Sequence, residues 1–245
     1  FTLGELKMHK KARKIINYTG LVLILFLMQQ LASKLGGFIA NFFSYEQIDP
    51  QNLFAYISVH HLVILGIALF IIYICKRKYD IDFGFQVGNK TTGIKYLIVF
   101  SLIILIYVLV SHFMGYYFEI NQPINYPLNI RNVLGTLSFQ LFLSGPAEEL
   151  LFRAIPMSIL LFLFNKRRPI IWGVTLETII AALLFSIAHI SWSLNPFILN
   201  FDYYQLVYAF VLGLAYGMVY QKSKSIIYPI LMHSSSNVIY VGVGY

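Results

Sequence analysis

Glu148, Glu149, Arg153, Glu177, His189 and His233 lie inside long apolar runs, and His60 and His61 sit near the start of another. An ionisable side chain at membrane depth costs roughly 2.5–3.5 kcal/mol on insertion scales, so such residues mark chemistry or tight pairing. Glu149 and Arg153 are four positions apart and share a helix face, where they can pair. Glu148 then projects from a different face, about 100° around the helix. Two adjacent carboxylates are more than one arginine needs. The run Phe185-Ser186-Ile187-Ala188-His189 ends on an imidazole. The run His233-Ser234-Ser235-Ser236-Asn237 places an imidazole and an amide on one face.

Each of the last two runs has a bland explanation when taken singly, because Ser, Asn and His commonly hydrogen-bond between membrane helices. The set as a whole can hydrolyse a peptide bond. A buried glutamate can act as general base on water if a partner holds that water. The tetrahedral intermediate carries an oxyanion, which imidazole and amide N–H groups can stabilise. These roles fall to Glu148 as base, His189 as water partner, and His233 with Asn237 as oxyanion donors. Glu149 and Arg153 orient Glu148 or contact substrate. A metal version is the alternative, with Glu148, His189 and His233 as three ligands to a divalent ion such as zinc and water as the fourth. No H-E-x-x-H occurs, and Cys75 is the single cysteine, so catalysis needing no cofactor leads. A serine route is poorer, since Ser234, Ser235 and Ser236 do not face His233 from one helix and no G-x-S-x-G exists. Glu177 reads as structural or cavity-facing, His60 and His61 as interface residues, and Ala209, Gly213 and Gly217 as a close-packing ridge.

Such residues need helices to position them. The chain of 245 residues is 58% hydrophobic and 11% charged, whereas a soluble domain carries about a quarter charged residues. Apolar runs of about 20 residues cross a bilayer core. Seven are expected, over Ile16 to Leu35, Tyr56 to Cys75, Ile94 to Tyr117, Val133 to Phe164, Ile170 to Ile190, Tyr204 to Tyr220 and Ile226 to Val243. The expected fold is all-α, a polytopic transmembrane bundle, with an eighth span if Ser144-Gly145-Pro146 breaks the fourth stretch and opens a fresh helix. Residues 1–129 would supply N-terminal helices and residues 130–245 the catalytic core of one integrated membrane domain.

The net charge of +8 marks loops rather than a nucleic-acid site. Lys7, Lys10, Lys11, Arg13 and Lys14 precede the first run; Lys76, Arg77, Lys78, Lys90 and Lys95 follow the second. Lys166, Arg167 and Arg168 follow the fourth, and Lys222 and Lys224 the sixth, so all fall on one side if seven spans alternate. This predicts a multi-pass cell-membrane protein with the N-terminus in the cytoplasm and the C-terminus outside. Tyr116, Tyr117, Tyr203 and Tyr204 sit at the expected outer boundary.

The three motifs, in this order on late helices, resemble the CPBP family: CAAX prenyl proteases of the Ras-converting type together with bacteriocin-processing or immunity (Abi) proteins. The two glutamates and arginine correspond to Glu148, Glu149 and Arg153. The phenylalanine-to-histidine pattern corresponds to Phe185 and His189, and the final pattern to His233 and Asn237. Gly213 and Gly217 resemble that family's glycine-bearing helix. The likeness covers roughly residues 130–240. It implies an intramembrane endopeptidase with Glu148 as water activator, in a family also described as metalloproteases. One position departs: relatives often carry asparagine four residues after the second-motif histidine, where this chain has Ser193, with Asn195 two further on. The expected substrate is a small peptide or a CAAX-like membrane-associated protein. The alternatives are a non-catalytic membrane regulator or immunity scaffold and, third, an ion-coupled transporter, for which no inverted repeat speaks.

Overall fold

The computed structural model describes residues 3–119, 124, 126–164, 169–171, 173–194 and 196–245, with side chains from Ile16 onward except at Ile171 and Leu194. The side chains of Lys7 to Lys14, and all of Lys166, Arg167, Arg168 and Asn195, fall outside the described residues.

Three apolar helices come first: α1 (Leu3–Ala40), α2 (Ala55–Tyr79) and α3 (Lys90–Tyr117). Each holds a segment long and apolar enough to cross a bilayer. In α3 the most apolar window has a mean hydropathy of 2.6, yet 11% of it is buried inside the protein. Most of its isoleucines, leucines and valines therefore face outward, Ile104 and Val108 being the buried ones, which is favourable only against lipid. This is a membrane protein.

The turn before α2 is built on Asp49, which is 2% exposed. Its carboxylate accepts the backbone N–H groups of Leu53, Phe54 and Ala55 at 2.9, 2.7 and 2.7 Å. These are donors a helix start leaves unpaired. Burial pushes the Asp49 carboxyl upward, but the three N–H groups and Arg131 outweigh it and hold it below the usual carboxylate range.

The fourth stretch is an unbroken helical rod in five segments: α4 (Ile130–Phe139), a π-helical turn Gln140–Ser144, α5 (Gly145–Glu149), a second π-helical turn Leu150–Ala154, and α6 (Ile155–Phe164). Of the two alternatives at Pro146, a continuous helix or a fresh start, the continuous helix is the one found. Ser144 and Gly145 keep right-handed helical dihedrals, and Ser144 makes no side-chain cap. Proline lacks an N–H and crowds the carbonyl four residues back. The wider turn just before it absorbs that defect without ending the helix.

The fifth expected span also differs. Pro169 to Thr175 form a two-stranded hairpin, β1 (Pro169–Ile171) with β2 (Val174–Thr175), which turns at Gly173 with φ +82°. Helix α7 covers only Leu176–Ile187. At 1.5 Å per residue it is about 18 Å long, short of a core about 30 Å thick. A second hairpin follows, β3 (Ser191–Leu194) with β4 (Phe197–Asn200), so the bundle is mostly helical rather than purely so. The chain ends in α8 (Tyr203–Ser223) and α9 (Ile227–Gly244).

Close approach fixes how these helices meet. A Cβ on Gly213 would lie 3.0 Å from Ala182, and one on Gly217 would lie 2.7 Å from the Thr178 methyl, so α8 seats directly on α7. Gly145 lets α5 approach the Ile230 carbonyl and Ser234 on α9. The tightest core lies around α5 to α7, where Ala147, Leu151, Ala154, Ile155 and Ala181 are fully buried.

Candidate active site

Glu148 and Glu149 leave α5 on different faces, as their one-residue offset requires. Glu149 is fully buried. Its Oε1 accepts from His233 Nδ1 of α9 at 2.8 Å, and its Oε2 faces Arg153 Nε at 3.5 Å. Arg153 is also fully buried and lies flat against aromatic faces, 4.0 Å from the Phe185 ring centre and 5.5 Å from that of Tyr216. Cation–π contact replaces part of the lost hydration. Glu149 and Arg153 thus form a support behind His233.

Glu148 keeps partial exposure, with 20% of its side chain accessible. Its Oε1 lies 3.0 Å from His61 Nε2 of α2, and its Oε2 lies 3.8 Å from His233 Nε2. The sequence reading placed His61 at an interface. The structure places it in direct contact with the proposed base. His61 Nδ1 donates to the Ile57 carbonyl at 2.9 Å. His61 Nε2 and Glu148 Oε1 are thus within hydrogen-bond distance across α2 and α5. His60 stands behind, 3.3 Å from His61 Nδ1 and bonded through Nε2 to the Ser33 carbonyl of α1 at 3.1 Å.

His189 lies just beyond α7, its Nδ1 donating to the Phe185 carbonyl at 2.9 Å. This fixes the ring and leaves Nε2 to face the cavities. Phe185 is the spacer among these groups: its ring meets His189, His233 and Phe152 edge-on at 4.9, 6.0 and 5.7 Å. His233 stacks on Tyr216 at 5.4 Å. Tyr216 in turn bonds Ser236, which also bonds the His233 carbonyl. Asn237 Nδ2 donates to Ser144 Oγ at 2.9 Å, a bond across α9 and the first π turn.

Two cavities meet here. One of about 610 Å³ runs between α1, α2 and β3, and one of about 350 Å³ lies between α4, α8 and α9. His61, Glu148, Phe185 and His189 line both. His233 and Asn237 line the second. Every residue assigned to chemistry thus borders one connected region around Glu148, apart from Glu149 and Arg153, which support it from the core. His189 follows the end of α7 by two residues and His233 lies about a turn and a half into α9, and both line the second cavity.

Glu177 does not join this group. It lines a separate cavity of about 130 Å³ with Asp82, Thr175 and Gln221. Ser235 bonds Ser101, and Ser236 is committed to Tyr216, so neither is set as a nucleophile. Among the described residues, no group of three or more His, Cys, Asp or Glu side chains is spaced to hold a metal ion. The set of Glu148, His189 and His233 therefore lacks ligand spacing in this arrangement.

A family model described as Type II CAAX prenyl endopeptidase Rce1-like matches residues 130–239, the stretch that carries all three motifs. Residues 130–239 form an Rce1-like domain. The Rce1-like family is a protease family, of the CAAX-type intramembrane class. No curated protein and no solved structure matches the chain. His61, Gln29 and the rest of α1 to α3 lie outside the Rce1-like domain, yet α2 completes its polar cluster.

Two features of the sequence single out His61: it is an ionisable residue in an apolar run, and it is one of an adjacent pair whose members leave the helix on different faces. The pairing with Glu148, 87 positions away, is tertiary.

Proposed function

We propose that this protein is an intramembrane endopeptidase in which Glu148 activates water against a peptide bond. The observation that carries the reading is the position of Glu148: partly accessible, on the shared wall of two cavities, and bonded to His61 with His233 opposite. Water beside Glu148 and His189 gives its proton to the carboxylate as its oxygen attacks the carbonyl carbon. The resulting oxyanion is stabilised by the Asn237 N–H and by His233 Nε2–H. Glu149 fixes that ring by accepting from its Nδ1. The C–N bond then breaks, and the proton taken by Glu148 passes to the leaving amine. His61 holds Glu148 in place through their 3.0 Å contact. The substrate is a small peptide or a CAAX-like membrane-associated protein whose chain reaches the cavities.

Glu148→Gln keeps size and hydrogen bonding but removes the base. Purified Glu148→Gln should cleave peptide at least about 10²-fold more slowly than wild type, the usual worth of a general base, while accumulating normally in membranes. Wild-type cleavage by this variant would remove Glu148 from the mechanism. A cellular phenotype that persists without cleavage would instead favour a non-catalytic membrane regulator.

A further inference from the structure

Glu177 is a buried carboxylate that the cluster around Glu148 does not use. It lies in the first turn of α7 and is 5% exposed. The helix dipole there favours a negative charge, but it supplies no donor to a given carboxylate oxygen. Among the described residues no cation pairs with Glu177. Its Oε2 is buried without a hydrogen-bond partner. Its Oε1 has no partner there either and is the oxygen left open to the cavity that Glu177 lines. Buried charges in proteins are paired or coordinate a metal.

That cavity, of about 130 Å³, shares no lining residue with the two cavities at Glu148. Its polar wall is rich in acceptors. Asp82, on the α2–α3 connection, is the second carboxylate. Its oxygens take the Gly84 N–H and Gln86 Nε2 at 2.8 and 2.9 Å, and each keeps a further lone pair. On α8, Gln221 donates from Nε2 to Thr175 Oγ1, which leaves its Oε1 without a donor. Ser158 and Tyr220 share a hydroxyl–hydroxyl bond of 3.0 Å. Lys224, exposed at the end of α8, is the one cationic residue in this lining, so two negative charges face one positive. No histidine or cysteine lines the cavity.

We propose that this cavity binds one hydrated magnesium ion, with Glu177 Oε1 as direct ligand and Asp82 as the second carboxylate. An oxygen-only set without imidazole or thiolate suits a hard cation. Calcium takes six to eight oxygens, largely from the protein, whereas magnesium keeps several waters and binds through one or two carboxylates. Two carboxylates with room for water fit magnesium. Only two of its ligands are acidic side chains; the rest of the octahedron is water. The ion joins the start of α7 to the α2–α3 connection and takes no part in peptide-bond chemistry, so the site stands apart from the peptidase reading.

The test uses full-length protein in detergent, stripped with EDTA and held at constant ionic strength. Paramagnetic resonance should find one bound Mn²⁺ per chain, displaced by Mg²⁺. Mg²⁺ in hundredfold excess over Kd should raise the thermal unfolding midpoint by about 5–10 °C, and KCl of equal ionic strength should not. Glu177→Gln and Asp82→Asn should each weaken binding at least about tenfold, while Glu148→Gln leaves it unchanged. Because Glu177→Gln removes an uncompensated buried charge, the metal-free variant should be at least as stable as metal-free wild type. An unaltered Mg²⁺ response in Glu177→Gln overturns the proposal. So does a response lost in Glu148→Gln, which would seat the ion at the catalytic cluster. A metal-free Glu177→Gln less stable than wild type also overturns it, since the carboxylate would then already have a partner.

Discussion

His61 and Arg153 show how the same pressure, a charged group kept from water, produces two different outcomes. Arg153 is sealed, and its Nε, Nη1 and Nη2 have no hydrogen-bond partner among the described residues. Its compensation is the Glu149 charge and the faces of Phe185 and Tyr216. Removing one member of a buried ion pair leaves the other uncompensated, which costs about 3–5 kcal/mol. Arg153→Met should therefore lower stability by about that amount in detergent unfolding experiments, and Glu149→Gln added to it should recover part of the loss. His61 instead meets a carboxylate that opens to cavities. His61→Gln should lower kcat about 10–100-fold with little change in KM, because it disturbs a group that acts on the bond broken rather than on binding. Combined with Glu148→Gln it should add almost nothing, since His61 acts through Glu148; additive losses in steady-state kinetics would separate them.

At the scale of elements, the two π turns and the short α7 are what bring the site together. The first π turn carries the rod past Pro146, and the second turns Arg153 inward while presenting the Leu151 carbonyl to Gln29. The first π turn and α5 pack against α9, and Gly145 permits that close approach. The start of α2, which aims His61, depends on Asp49. Its carboxyl titrates lower in the folded protein than in the unfolded chain, so its contribution is fully present above about pH 4, the unfolded value, and is lost as pH falls through the folded value. Asp49→Asn keeps the shape but weakens charge-assisted bonds to three N–H groups, and should cost about 1–3 kcal/mol at neutral pH. The difference between wild type and variant should shrink on acidification, as followed by thermal unfolding from pH 7 to pH 3. A difference that grows as pH falls would contradict the assignment.

For the whole molecule, the Rce1-like domain supplies two carboxylates, two histidines and an amide, while α1 and α2 supply a wall and a third histidine. The cavity between them is shared, which ties α1 and α2 to the proposed site. We propose the orientation that the basic loops indicate, with the N-terminus and the α2–α3 connection in the cytoplasm. In a Cys75→Ser background, Lys78→Cys should react with a membrane-impermeant maleimide only after the cells are opened, whereas Glu46→Cys should react in intact cells. The reverse labelling pattern would invert the protein in the membrane.

Composition and apolar run length determined that this is a helical membrane protein, because hydrocarbon tolerates few charges and each run can be counted against its thickness. Residue type alone marked Glu148, Glu149, Arg153, His189 and His233, since ionisable groups in apolar helices are rare enough to stand out; Asn237 followed from its four-residue spacing to His233, and Phe185 from the family resemblance. Tertiary structure decided what these residues touch. It made the fourth stretch one rod, because a π turn can absorb a proline defect that local propensity reads as a break. It cut α7 to twelve residues, because Pro169 to Thr175 found a hairpin partner that hydropathy cannot see. It also set His61 on Glu148, an encounter between α2 and α5 that depends on helix rotation and depth, and neither quantity is written in the order of residues along one helix.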